Sequence, residues 1–133
     1  MSDLISLFNK ALQIRQNAYA PYSKFCVGAA VLSSNDNVYS GCNVENVSYP
    51  NGTCAETGAI AAMVAGGDVL IKDIVVVADS KVLIKPCGAC LQRIFEFADN
   101  NTKVHLADLE GIKKSYLISE LLPLAFNEEE LKQ

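Results

Sequence analysis

The chain has 133 residues, half of them hydrophobic and a fifth charged; that is enough for one domain with a buried core, too short to suggest two, and unlike the composition of a disordered segment. Eleven Lys plus Arg against fifteen Asp plus Glu give a formal net charge of −4, which argues against nucleic acid held through a basic surface. Five cysteines, an odd number without dense spacing, argue against a disulfide scaffold and for reduced thiols or metal ligands.

From Leu4 to Tyr19 apolar residues recur at Leu4, Phe8, Ala11, Leu12 and Ala18, predicting an amphipathic helix that ends near Pro21. Its start, "MSDLISLFNK", lacks the basic and apolar regions of a secretory signal, and no run approaches the roughly 20 apolar residues of a membrane helix. A cytoplasmic location without membrane partners is expected. The β-rich stretches "FCVGAAVLSS" and "NVYSGCNVEN" flank "NDN" and predict a hairpin bending near Asn35 to Asn37. After "VSYPNGT", Ala55 to Ala65 reads as a helix stopped by Gly66 and Gly67. "IVVVAD", residues 74 to 79, reads as a strand buried on both faces. "PCGACLQRIFEFAD" returns to helical spacing at Leu91, Ile94, Phe95 and Ala98. "KVHLAD" and "SYLI" are short strand candidates, and "ISELL" a helical turn before an acidic tail. The order α-β-β-α-β-α-β-β-α over residues 1–133 predicts a single α/β domain: a three-layer α/β/α sandwich around a mixed five-stranded sheet.

Two short stretches carry chemistry. In "GTCAETGAIAAM" Cys54 and Glu56 open an Ala-rich helix, and in "PCGAC" Cys87 and Cys90 fall at the start of the next one. Unpaired backbone N–H groups and the positive end of a helix favour thiolate, the form that binds metal. Two helices on one sheet face, starting at the same sheet edge, would bring the three sulfurs around one ion, with zinc the candidate. Cys26, Cys42 and His105 sit in strand patterns without paired ligand spacing, so the count is three ligands and an open position, as in a catalytic site. Glu56 then stands ready to move protons.

Each piece alone has a plainer reading. A lone C-x-x-C is often a redox pair or half of a structural zinc site, Cys54 a small buried hydrophobe, and Glu56 a first-turn acid matched to the helix dipole. Cys26 and Cys42 read as small buried thiols, and His105 as structural or exposed. Together, "CAE" followed by "PCGAC" matches the three-cysteine variant of the zinc deaminase signature.

With "YSKFCVGAAV", "GCNVENVSYPNGTCAE", "PCGACLQ" and "LLPLAF" in order, the chain resembles the small cytidine deaminases of the three-cysteine, homotetrameric type. The resemblance implies one Zn²⁺ per subunit on Cys54, Cys87 and Cys90, with attack on C4 of cytidine or 2′-deoxycytidine by zinc-activated hydroxide and release of ammonia, a pyrimidine-salvage reaction. It implies that Glu56 shuttles protons and that the Ala55 N–H holds the base carbonyl. Asn43 and Glu45 correspond to the positions that bind the ribose hydroxyls, and Phe25 to an aromatic beside the nucleoside. Tyr49 and Phe126 correspond to residues at the shared subunit contact, Phe126 reaching a neighbour's site. For Asn43 and Glu45 periodicity alone favours solvated strand ends, and for Phe126 ordinary packing; a carboxylate beside the sugar also disfavours a phosphorylated or polymeric substrate. The family commonly has arginine after the motif glutamate and after the last cysteine; here those positions are Thr57 and Leu91, leaving Arg93 the nearest cation. Kindred alternatives are a deaminase of another aminopyrimidine nucleoside, such as the blasticidin type, a zinc-stabilised structural module, and a redox C-x-x-C protein.

Overall fold

A computed structural model of the chain describes residues 2–132. Four helices and five strands follow in the expected order: α1 Ser2–Arg15, β1 Val27–Ser33, β2 Val38–Cys42, α2 Ala55–Ala65, β3 Ile71–Ala78, α3 Gly88–Glu96, β4 Ala98–Ala107, β5 Ile112–Leu117 and α4 Ile118–Leu121. Short 3₁₀ turns at Tyr49–Asn51 and Glu128–Leu131 complete the list, the second lying in the acidic tail. The sheet order is β2-β1-β3-β4-β5, with β3 and β4 parallel and the other neighbours antiparallel.

Alternation along the central strands divides two cores. Ala30, Leu32, Val75 and Val77 point to α1 and pack on Leu7, Phe8 and Ala11. Ala29, Val31, Ile74, Val76, Val104 and Leu106 point the other way, against Ala59, Ile60 and Met63 of α2, Ile94 of α3 and Ile118 of α4. The continuous apolar run of β3 is explained by this: both of its faces are covered. Three layers result, as the pattern predicted.

The first helix is shorter than its periodicity predicts. It ends at Arg15, because Tyr19 is taken into an extended bridge with Val44, its N–H donating to Asn43 O and its carbonyl accepting from Glu45 N. The Arg15 Nε donates to Cys26 O at 3.0 Å and anchors the outgoing loop. No helix among the described residues is long and apolar enough to cross a membrane. Cys26 and Cys42 are free and half-buried, less enclosed than the reading as buried thiols. His105 is buried, between Asp73 Oδ1 at 2.7 Å and Ser115 Oγ at 2.6 Å, so one ring ties β3, β4 and β5 together in a structural role.

The register places the chemistry. Val27 at the start of β1 pairs with Ala78 at the end of β3, and Gly28 pairs with Cys42 at the end of β2. The carboxyl ends of β2 and β3 therefore share one edge of the sheet, and α2 and α3, which follow those strands, both begin there. Gly41 sets how closely α2 lies on β2: a Cβ at this position would fall 2.3 Å from Ala59 N and 2.7 Å from Ala55 O. Backbone atoms cannot step aside as a flexible side chain can. Gly41→Ala is expected to cost about 1–3 kcal/mol by overpacking and to displace the start of α2. Urea denaturation checks this, and an unchanged midpoint would contradict it.

At the other end of the same hairpin, Asp68 is a buried carboxylate that accepts from Asn35 Nδ2 at 2.7 Å, Asn37 Nδ2 at 3.0 Å, Ser33 Oγ at 2.8 Å and Tyr39 Oη at 2.8 Å. These donors, Asn35 foremost, hold its carboxyl well below the usual carboxylate range. A depressed folded value stabilises the protein above the unfolded value of about 3.9, and the contribution is lost as the pH falls towards the folded value. Asp68→Asn is therefore expected to lower the melting temperature at pH 7, with the gap from the unaltered protein narrowing between pH 5 and pH 2. A pH-independent gap would refute the charge as its cause.

Candidate active site

Cys54 is the N-cap of α2 and Cys87 the N-cap of α3, both with extended backbone (φ −79°, ψ 160° and φ −68°, ψ 169°). Cys90 is the third residue of α3 and fully buried. The spacing of three between an N-cap and the first turn brings Cys87 and Cys90 to one side of the helix start. With α2 beginning at the same sheet edge, Cys54 joins them, and the three sulfurs lie within 4.8 Å of one another. They are the only such group of potential ligands among the described residues.

The electrostatics of this group fit a cation. The N–H groups of Cys90 and Ala89 hold the Cys87 thiol below its ordinary value, although neither closes into a full cap hydrogen bond. Burial pushes Cys54 up, and it pushes Cys90 up strongly, with the negative charges of Glu56 and Cys54 adding to it. Helix N-termini alone therefore stabilise one thiolate of the three, where the sequence pattern had suggested all of them. A divalent ion removes the mutual repulsion and makes all three thiolates favourable. Tetrahedral zinc with bonds of about 2.3 Å to sulfur places its ligands about 3.8 Å apart, inside the 4.8 Å within which these sulfurs lie.

Beside the sulfurs opens a cleft of about 660 Å³ whose wall includes Cys54, Cys87, Ala55 and Glu56. Cys90 is behind it. Glu56 is only 5% exposed, and burial pushes its carboxyl up, opposed first by its own backbone N–H and then by the Arg93 charge. A carboxyl so placed holds and releases a proton more readily near neutrality than a solvated one. Arg93 itself donates from Nη1 to Cys90 Sγ at 3.8 Å, so the cation left nearest by the departures at Thr57 and Leu91 does reach a thiol.

The far wall carries Asn43, Glu45 and Tyr49. Asn43 is more than a solvated strand end: its Nδ2 donates to Phe25 O at 2.8 Å and its Oδ1 accepts from Val27 N at 2.9 Å. Glu45 Oε1 accepts from the N–H groups of Tyr22 and Ser23, and Oε2 accepts from the Ser23 hydroxyl. The Ser23 hydroxyl and those N–H groups hold its carboxyl below the usual range. An amide has two donors and two acceptor sites, and a carboxylate about four acceptor sites. Each side chain therefore keeps bonding capacity while its orientation is fixed by the loop before β1.

Phe25 and Phe126 are absent from this cleft wall. Phe25 is partly exposed beside the Asn43 clamp, and Phe126 is 53% exposed, its carbonyl accepting from Gln92 Nε2 of α3 at 2.8 Å. Lining residues not singled out beforehand include Tyr22, Ser23, Thr53 and Lys85. Tyr22 and Ser23 stand in the same "YSKFCVG" stretch as Phe25, but their bonds to Glu45 span more than twenty residues, and no local periodicity reports them. Lys85, just ahead of Pro86, had no pattern to mark it.

Residues 1–106 match the family described as the cytidine and deoxycytidylate deaminase zinc-binding region. The chain is 41% identical over 129 residues to the cytidine deaminase of Sporosarcina psychrophila, covering 97% of this chain and 95% of that one. It is 43% identical over 125 residues to the cytidine deaminase of Halalkalibacterium halodurans, covering 94% and 95%. Among solved structures, the cytidine deaminase from Burkholderia pseudomallei superposes with a TM-score of 0.86 at 39% identity, over 92% of this chain and 98% of that one.

Proposed function

The chain belongs to the cytidine and deoxycytidylate deaminase family, and from that premise we propose that it hydrolyses cytidine and 2′-deoxycytidine to uridine and 2′-deoxyuridine with release of ammonia. The observation that carries this reading is the meeting of three sulfurs and a buried carboxyl at two helix N-termini, with Cys54, Cys87 and Glu56 on the wall of one cleft. Cys54, Cys87 and Cys90 would hold one zinc ion. Bound there, zinc supplies the Lewis acidity that makes water nucleophilic at neutral pH.

The rest is the work of the chain's own groups. Glu56 takes a proton from the attacking water, passes it to N3 of the pyrimidine, and delivers a second to the departing amine at C4. One water enters and one ammonia leaves, so the carboxylate is regenerated. The Ala55 N–H, at the first residue of α2, donates to the base carbonyl. The remaining bonding capacity of Asn43 and Glu45 meets the ribose hydroxyls, and the Glu45 charge repels a phosphate at that end. Phe25 lies beside the nucleoside through the loop that Asn43 clamps.

The unit is a single catalytic domain working as a cytoplasmic homotetramer in pyrimidine salvage. Support for shared sites comes from the exposed apolar residues: Leu124 is 96% exposed, Val47 77%, Tyr49 76% and Phe126 53%. Tyr49 lines the cleft, and exposed apolar residues of this kind suit contact with another copy, with Phe126 reaching a neighbour's base site and Tyr49 at the shared contact.

Zinc content and ammonia release from cytidine, measured on one reduced sample, test the reaction. One zinc per chain is expected, with Glu56→Gln keeping the zinc and losing about 10²–10⁴-fold in turnover. Zinc without any Glu56-dependent release from cytidine or deoxycytidine would leave a structural centre instead. Light scattering is expected to give four chains, and Phe126→Ala to raise KM in the intact tetramer; a fully active monomer would overturn the shared site.

A further inference from the structure

We propose that Arg93 is the counter-charge of the three-sulfur centre, its guanidinium donating to the Cys90 sulfur so that three thiolates can serve one dication. This rests on the reading of Cys54, Cys87 and Cys90 as zinc ligands. Zn²⁺ with three thiolates carries one net negative charge and the Glu56 carboxylate beside them adds a second; two helix N-termini, roughly half a positive charge each, offset only part of this. That leaves the fully buried sulfur, Cys90, with the least contact with solvent and the greatest need for a donor.

The local geometry meets that need. Arg93 follows Cys90 by three residues on α3, so both lie on one helix face, and Nη1 stands 3.8 Å from Cys90 Sγ. Among the described residues no salt bridge holds Arg93; its charge reaches the Glu56 carboxyl only at longer range, and the sulfur is the side-chain group its guanidinium donates to. A donor on a ligand sulfur draws electron density from it, which keeps the metal a stronger Lewis acid and fixes the direction of the ligand. Guanidinium suits the place because it is weakly hydrated and donates from a rigid fork. Arg93 is thus a positioning residue, since it acts through Cys90 and lies outside the substrate cleft. Thr57 and Arg93 line the same cavity between α2 and α3, about 410 Å³, so an arginine placed at 57 has room to approach the cluster from the facing helix.

The test reads the metal rather than turnover. Zinc affinity of the full chain is measured by competition with a chromophoric chelator, and the sulfur-to-metal charge-transfer band is recorded on the cobalt-substituted protein. Arg93→Gln is expected to bind zinc about 10–100-fold more weakly and to move the band to lower energy, with the circular dichroism of the zinc-saturated protein unchanged. Arg93→Lys should fall between the two, and adding Thr57→Arg to Arg93→Gln should recover affinity and band together. Wild-type affinity and an unmoved band in Arg93→Gln would overturn the proposal, as would lost affinity accompanied by altered circular dichroism. Should Arg93→Gln fail to fold, Arg93→Lys decides on the same two readouts. A wild-type chain that takes up no zinc would refute the metal site itself, an outcome distinct from zinc uptake that ignores Arg93.

Discussion

Three thiols and a carboxyl gathered in one small volume cannot all carry charge unless a cation shares the space. This constraint governs the rest of the molecule. Burial raises Cys54, Cys90 and Glu56, and of the three thiols only Cys87 is lowered, by backbone N–H groups. An isolated protein has little reason to assemble such a group, because desolvation and repulsion both oppose it. A divalent ion would reverse the balance, with the sulfurs as its ligands and the carboxyl standing beside them at the edge of an open cleft.

The sheet exists in a form that makes this assembly possible. Antiparallel pairing of β1 with both β2 and β3 brings the carboxyl ends of β2 and β3 to one edge, and the helices that follow them start there with N–H groups directed outward. Close contact at Gly41 fixes α2 against β2, which in turn fixes the distance between the Cys54–Glu56 side of the cleft and the Asn43–Glu45 side. The loop before β1 then orients the polar pair through Asn43 and Glu45. Asp68 closes the far end of the same hairpin, where four donors converge on one carboxylate. Stability at one end of the hairpin and chemistry at the other are thus borne by the same two strands.

Much of this was legible in the sequence, for identifiable reasons. Helix α2 matched its expected span because an Ala-rich run between Cys54 and the glycine pair leaves little ambiguity. Strand β3 announced itself by β-branched residues facing helices on both sides. The sulfur cluster was legible because N-cap and first-turn positions have fixed spacings. By contrast, the end of α1 was misplaced, since Tyr19 trades helical bonds for a bridge to Val44, twenty-five residues away, and helical periodicity carries no record of that competition. The clamps made by Asn43 and Glu45, the network around Asp68 and the enclosure of His105 were likewise invisible, each joining residues distant in sequence. Arg93 stood between these cases: its spacing from Cys90 was on view, but only the fold shows that its guanidinium turns to the sulfur.

The central claim is that the cluster is an open three-sulfur zinc centre facing the cleft. X-ray absorption at the zinc edge of the reduced, metal-loaded protein tests it most directly. Three sulfurs at about 2.3 Å and one nitrogen or oxygen neighbour are the predicted shell, with the light atom exchanged when a nucleoside analogue enters. Four sulfurs, or a shell that keeps all three sulfurs when Cys54, Cys87 or Cys90 is replaced in turn, would contradict it.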